Sequence, residues 1–146
     1  MSLLSWKGFQ KAFEYINLIE QGMVCTLSLS ALTVLFGFIL ALFLAICRLS
    51  NFKPAKYLAT VYVEVIRATP MLVQLFIVYN ILLAGVSLPR FKLFGFIRFE
   101  RFLPGVIALS LNSGAYLCEI IRSGIQSIDL GQTEAARSLG MTQWQK

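Results

Sequence analysis

One uncharged stretch constrains this chain more than any other feature. Met23 to Cys47 runs for 25 residues without an acidic or basic side chain. As an α-helix it would be about 37 Å long, which is enough to cross a hydrocarbon core of about 30 Å with some tilt. A cleaved signal peptide would have an apolar region of only about 7–15 residues. The stretch therefore predicts a stable membrane span.

The rest of the chain has room for about two more spans. It is 146 residues long, 58% hydrophobic and 14% charged, whereas a soluble domain is about 45–50% apolar and about 25% charged. That composition excludes an ordinary soluble globule and a disordered chain. The remaining apolar runs lie around Met71–Pro89 and Phe102–Cys118. We therefore predict an all-α, polytopic membrane protein with spans at about 23–47, 57–84 and 102–122.

Residues 1–21 form a separate N-terminal segment. Trp6, Phe9, Phe13 and Ile16 recur at helical spacing, which predicts an amphipathic helix. We expect this helix to lie along the membrane surface until Gly22 turns the chain inward.

The segment between the second and third spans, Pro89 to Arg101, is both basic and aromatic. Such interleaving occurs in nucleic-acid-binding surfaces, where bases stack on aromatic rings. Because two spans flank this segment, an interfacial loop lying on lipid headgroups is favoured. No nucleic-acid partner is therefore expected.

Two similar phrases carry charges at the edges of the spans. Glu64 and Arg67 are three residues apart, and so are Glu119 and Arg122. At this spacing two side chains share a helix face and can pair. Antiparallel second and third spans would bring both pairs to one membrane face. The four residues either anchor helix ends or form a polar site or gate inside a helix bundle.

Polar residues within the spans extend this second interpretation. Buried amides and hydroxyls in lipid need partners, either in another helix or in a water-filled path. The candidate translocation path or gate consists of Glu64, Arg67, Gln74, Asn112, Ser113, Tyr116, Glu119 and Arg122.

The remaining composition limits the chemistry. The chain has no His, and Cys25, Cys47 and Cys118 are far apart without a CxxC pair. Neither a metal site nor a disulfide framework is predicted, and no cofactor is expected. The phosphate-binding loop G-x-x-x-x-G-K-[ST] is also missing, so we do not expect an enzyme.

The segment at about 127–141 is less apolar and predicts a short helix outside the membrane. Asp129 or Thr133 can cap its start, with Asp129 and Gln132 loosely resembling a capping box. Gly140 supplies the C-terminal stop. From these residues alone, a plain juxtamembrane helix and a docking helix both stay open.

Glu134-Ala135-Ala136, followed after three residues by Gly140, resembles the EAA motif of the membrane subunits of bacterial ABC importers. The phrases ALSLNSGAYLCEIIRSGIQSIDLGQTEAARSLGM and VYVEVIRATPMLVQLFIVYN resemble the type-1 polar amino-acid branch, which serves histidine, glutamine, glutamate and arginine. The resemblance covers roughly residues 22–145, so residues 22–146 are identified as a partial transmembrane domain of that type.

The resemblance implies a permease subunit that moves polar amino acids across the bacterial cytoplasmic membrane. It implies that the EAA segment is a cytoplasmic coupling helix docked on a separate ABC ATPase subunit, with the N-terminus outside. The ATPase-coupling residues would be Glu134, Ala135, Ala136 and Gly140. The other implied partners are an extracytoplasmic amino-acid-binding protein, a second permease subunit and membrane lipid, and ATP would be hydrolysed in the ATPase.

The sequence also departs from the family. Its pattern normally continues after the glycine to I-x-LP and two further spans, whereas six residues follow Gly140 here. We therefore expect a C-terminally truncated permease. The alternative is a non-transporting membrane fragment or an assembly or interaction protein. A pore-forming oligomer of three-span units has only the polar residues in its favour.

Overall fold

A computed structural model describes residues 15–143 and 145, apart from the side chains of residues 82–84 and 130. The predicted all-α fold class is confirmed, with one small hairpin added. Most of the amphipathic helix predicted within residues 1–21 lies outside the described residues. In chain order the elements are α1 (Ile16–Leu49), α2 (Lys53–Ala68), α3 (Met71–Gly85), β1 (Lys92–Leu93), β2 (Ile97–Arg98), α4 (Phe99–Gln126) and α5 (Leu130–Ser138).

Helix α1 begins before the predicted first span and passes straight through Gly22. The prediction that the chain turns at Gly22 is therefore wrong. A glycine inside a helix costs only about 1 kcal/mol, and breaking the helix in apolar surroundings would leave backbone groups without partners. The Thr26 hydroxyl also donates to the Gly22 carbonyl (2.9 Å) within the continuous helix.

The predicted second span, residues 57–84, is not one helix. Helices α2 and α3 are bent by 107° where they meet. Thr69 and Pro70 between them are extended, with ψ values of 140° and 133°. Proline has no N–H to continue the helix, and it disfavours the helical conformation in the residue before it. The Thr69–Pro70 step therefore divides this apolar segment into two helices.

Helices α1 and α4 pack closely through small residues. A Cβ atom on Gly114 would lie 2.8 Å from Leu40 Cδ2, and one on Gly37 would lie 3.1 Å from Ser113 Cβ. Small residues let helix backbones approach within a membrane. The buried core beside this crossing comprises Ala41, Leu44, Ala45, Ala59, Val63, Ala115 and Cys118.

The two long helices run parallel, so the broken pair between them must cross back. Leu29 near the start of α1 lies beside Gly105 near the start of α4, while Arg48 at the end of α1 reaches Glu119 toward the end of α4. Tyr79 of α3 hydrogen bonds near the start of α4, at the Arg101 carbonyl. Helices α2 and α3 together thus connect the two ends of the bundle.

By length and composition, α1 and α4 are each long and apolar enough to cross a membrane, and there is a third span if the bent pair of α2 and α3 counts as one. The outward surface of α1 is strongly apolar, as a lipid-facing helix requires. Its exposed large side chains include Val34, Leu35, Phe36, Phe38, Ile39 and Phe43.

The segment predicted as an interfacial loop contains a short antiparallel hairpin. Lys92 pairs with Arg98 and Leu93 with Ile97. Phe94 and Gly95 at its tip have positive φ angles of 51° and 78°. Glycine adopts such angles readily, whereas a phenylalanine there is uncommon.

Helix α4 begins at Phe99, earlier than the predicted start near residue 102. Pro104 therefore lies inside the helix and not in its first turn. It is fully buried. Proline has no backbone N–H, so this position cannot donate the helical hydrogen bond to the Glu100 carbonyl.

Candidate functional site

The centre of the candidate site is an ionic cluster around Glu119. The two Glu119 oxygens accept hydrogen bonds from Arg48 and Arg122. Arg67 Nη1 lies 3.7 Å from Glu119 Oε2, and Arg48 Nη2 lies 3.8 Å from Glu64 Oε1. The cluster thus joins the end of α1, the second half of α2 and the C-terminal part of α4.

The two predicted i, i+3 pairs have different outcomes. Glu119 and Arg122 form the expected pair within α4. Glu64 and Arg67 instead pair across helices, with Arg48 and Glu119 respectively. The shared helix face was predicted correctly, but packing of α2 against α1 and α4 brings partners on other helices within reach.

Arg48 is the site residue that sequence reasoning missed. In the sequence it is simply the first basic residue after the uncharged stretch Met23–Cys47, whereas in the structure its side chain is only 9% exposed. Three arginines face two glutamates in the cluster, and removing one partner from a buried pair leaves an uncompensated charge. A basic residue in the last turn of a long apolar helix was the available signal.

Gln74 donates hydrogen bonds to the polar groups at the break between α2 and α3. Its Nε2 donates to the Ile66 carbonyl (2.6 Å) and to the carbonyl and hydroxyl of Thr69 (3.1 and 2.6 Å). Its Oε1 accepts from Asn112 Nδ2 at 3.1 Å. A buried carbonyl that Pro70 deprives of a helical partner needs a replacement donor. Gln74 supplies it and ties the break to α4.

The other predicted residues divide between two sets. Tyr116 is 45% exposed and its ring lies 5.6 Å from the Arg67 guanidinium carbon, which is within cation–π range. Ser113 lies at the α1 crossing beside Gly37. Tyr62, which was not predicted, donates its hydroxyl to the Leu111 carbonyl at 2.9 Å.

The structure therefore places the eight predicted path residues in three groups. Gln74 and Asn112 form the hydrogen-bonded set at the helix break. Ser113 belongs to the α1–α4 contact. The charged set with its aromatic neighbour contains Glu64, Arg67, Tyr116, Glu119 and Arg122.

Helix α5 is a short, exposed helix with both ends capped. Asp129 Oδ1 accepts from the Gly131 N–H at 2.9 Å, which confirms the predicted cap at Asp129. At the other end, Gly140 N–H donates to Arg137 O (3.0 Å) and Met141 N–H to Ala136 O (3.1 Å). With Gly140 at φ 74°, this is a Schellman motif, and the predicted stop at Gly140 is confirmed.

The EAA residues are presented on the surface of this helix. Glu134 and Ala135 are exposed, Ala136 is half-buried, and Gly140 is exposed. Leu139 and Met141 beside them are 77% and 44% exposed. The helix therefore carries acidic and apolar side chains on a surface that the rest of the described chain does not cover.

The family model for the inner membrane component of binding-protein-dependent transport systems matches residues 13–146. The chain belongs to this family. Its relatives are amino-acid permeases of ABC transporters, which are transport proteins and not enzymes. The family and the apolar helices together identify a multi-pass membrane protein.

Individual relatives agree with this assignment. The chain is 41% identical to an arginine transport system permease protein of Bacillus subtilis (strain 168), covering 91% of this chain and 57% of that protein. It is 40% identical to an L-cystine transport system permease protein of the same organism, covering 95% and 54%. The chain spans about half the length of the curated relatives it matches.

A solved structure agrees at the level of the fold. A crystal structure of an amino acid ABC transporter with histidines is 46% identical in sequence and superposes with a TM-score of 0.76. The match covers 92% of this chain and 58% of that chain.

Proposed function

We propose that this chain is a permease subunit of an ATP-binding-cassette importer for polar amino acids. The observation that carries the proposal is α5, a capped and exposed helix that presents Glu134-Ala135-Ala136 and ends at Gly140. A helix of nine residues is marginal alone, and its exposed apolar neighbours suit a docking surface. Its proposed partner is a separate ABC ATPase subunit, which would hydrolyse the ATP.

The proposed coupling is a rigid-body movement of α5. Only Ser127 to Asp129 separate α5 from α4, so a displacement of α5 is passed directly to the last turns of α4. Glu119 precedes those turns and ties α4 to α1 and α2, and Arg122 pairs with Glu119 within α4. Closure of two ATPase subunits would thereby change the packing of the spans.

The proposed translocation path runs along α2, the helix break and α4. A polar amino acid carries a carboxylate and an ammonium group, which need charged or hydrogen-bonding partners inside the membrane. Glu64 and Arg67 are the most exposed charges of the cluster, at 64% and 37% of their side chains. Gln74 and Asn112 continue the polar surface toward the break. The arginine, cystine and glutamine named for relatives support a polar amino acid as the cargo.

The proposed assembly has further partners. An extracytoplasmic binding protein would deliver the amino acid, and a second permease subunit would complete the dimer. The chain would lie in the bacterial cytoplasmic membrane with its N-terminus outside and α5 in the cytoplasm.

The coupling role is tested by co-purification with the ATPase subunit. Glu134→Lys and Gly140→Asp are expected to weaken the association, because one reverses the charge of the exposed surface and the other strains a residue at positive φ. Gln132→Lys, on another side of the same exposed helix, is the control. Unchanged association of both test variants would contradict the coupling role.

Transport itself is tested in vesicles that contain the chain, the ATPase subunit and the binding protein. ATP-dependent uptake of radiolabelled arginine or glutamine that Glu134→Lys abolishes is the expected result. An assembly that forms normally but never transports would instead support the role of an assembly or interaction protein.

A further inference from the structure

Two cavities meet at the hairpin, at the end of the bundle opposite the ionic cluster. The larger has a volume of about 540 Å³ and lies between α1, α3, the hairpin and the start of α4. Its wall is mainly apolar and includes Leu18, Cys25, Leu29, Phe96 and Phe102. The smaller has a volume of about 160 Å³ and is lined by Arg90, Phe91, Lys92, Arg98 and Glu100. Arg98 lines both.

The smaller cavity has an excess of positive charge. Lys92 and Arg98 stand directly opposite each other in the hairpin register, and like charges in that position are destabilising. Glu100 lies 3.4 Å from Arg98 and is the acidic residue in the lining, against three basic residues with Arg90 included. A bound anion would offset this excess.

The hairpin also has the features of a membrane-interface element. Phe94 at its tip is 71% exposed, and the Phe91 and Phe99 rings stack with centroids 4.5 Å apart. Aromatic and basic residues concentrate where spanning helices meet the lipid headgroups. At the depth of the lipid headgroups, a phospholipid supplies both an anionic phosphate and an apolar acyl chain.

We propose that the two cavities together bind one anionic phospholipid. Its phosphate lies in the smaller cavity against Arg90, Lys92 and Arg98, and an acyl chain enters the larger cavity between α1 and α4. A free phosphate would use the smaller cavity alone, whereas a lipid explains why Arg98 borders both. Arg101 at the larger cavity adds positive charge beside the acyl entrance. This site is separate from transport and does not depend on the coupling role of α5.

Native mass spectrometry of the detergent-purified chain tests the site with phosphatidylglycerol, phosphatidylcholine and inorganic phosphate. We expect retention of one phosphatidylglycerol in preference to phosphatidylcholine. One basic residue near a membrane surface changes lipid affinity by about fivefold, so Arg98→Gln should lower phosphatidylglycerol affinity at least that much. Lys56→Gln, an exposed residue at the other end of the bundle, makes the same change in net charge and should have a smaller effect.

The larger cavity is tested through Cys25, in a chain whose Cys47 and Cys118 are replaced by alanine. Phosphatidylglycerol is expected to slow maleimide labelling of Cys25, and Arg98→Gln is expected to remove that protection. Inorganic phosphate should leave the labelling rate unchanged. Protection by phosphatidylglycerol that inorganic phosphate reproduces would indicate a free-anion site and overturn the lipid assignment. Equal retention and equal protection with the two lipids would indicate an apolar groove that does not recognise an anionic headgroup, and would also overturn the assignment.

Discussion

At the residue scale, Glu119 is the residue through which charged side chains of α1, α2 and α4 contact one another. It accepts hydrogen bonds from Arg48 and Arg122 and lies within 4 Å of Arg67. Its side chain is 21% exposed and that of Arg48 is 9% exposed, so these charges are only weakly screened by solvent. At a mostly buried site, removing one partner of an ion pair costs more free energy of unfolding than the intact pair contributes relative to apolar residues in its place.

Glu119→Gln is therefore expected to destabilise the chain by about 3 kcal/mol, because three arginines lose their shared carboxylate. Thermal unfolding in detergent measures the change. Glu100→Gln is the control, since Glu100 is 20% exposed, much like Glu119, but pairs with Arg98 alone among the described residues, and Arg98 is 54% exposed. A pair with one partner in solvent is worth about 0–1 kcal/mol. In the double variant Arg48→Gln/Glu119→Gln the loss should be smaller than the sum of the two single losses. Equal effects of the two glutamate variants would contradict the role given to Glu119.

Gln74 is the second residue with a large expected effect on stability. It donates hydrogen bonds to backbone carbonyls at the break, which would have no other partner inside a membrane. Gln74→Leu is expected to cost about 1–3 kcal/mol, the penalty for buried polar groups without partners. Asn80→Leu is the matched control on the same helix, since Asn80 is exposed and bonds to Phe76 O one turn earlier. A melting temperature lowered equally by both substitutions would show that the break does not depend on Gln74.

At the element scale, the closest contact is the crossing of α1 and α4 at Gly37 and Gly114. Gly114→Val is expected to destabilise the bundle by about 1–3 kcal/mol, because added carbon atoms would overlap Leu40. Gly124→Val on the same helix is the control, since nothing lies within 4 Å of a Cβ placed there. The comparison is made by thermal unfolding, and a Gly114 variant as stable as the Gly124 variant would rule out a tight crossing.

The helices also show which parts of the fold could be predicted from the sequence. The apolar run at Met23 and the pattern from Asp129 to Gly140 are local signals, and both gave the right helices. The 107° bend between α2 and α3 depends on how Gln74 and Asn112 bond after folding, and the prediction of one span at about residues 57–84 missed it. Arg48 was missed for the same reason: its role comes from Glu64 and Glu119 on other helices.

At the scale of the whole molecule, connectivity fixes which parts share a membrane face. Helices α1 and α4 are parallel and the broken pair returns between them, which predicts three crossings in alternating directions. The hairpin then lies on the same side as the start of α1, and α5 lies with the ionic cluster on the other. A re-entrant α2–α3 pair would instead place the hairpin on the side where α1 ends, and α5 on the side where α1 begins.

This arrangement is tested with single cysteines in a chain whose three native cysteines are replaced by alanine. In intact bacterial cells, a membrane-impermeant maleimide is expected to label Lys92→Cys and to spare Ser138→Cys until the membrane is permeabilised, because Lys92 lies in the hairpin and Ser138 in α5. Both positions are exposed, so a difference in labelling reports the membrane face and not burial. Labelling of both in intact cells would contradict α4 as a membrane crossing. Labelling of Ser138→Cys alone would contradict the placement of the hairpin outside and α5 in the cytoplasm. Because the ionic cluster and the EAA residues share the end that carries α5, a reversed orientation would also remove the cytoplasmic ATPase as its partner.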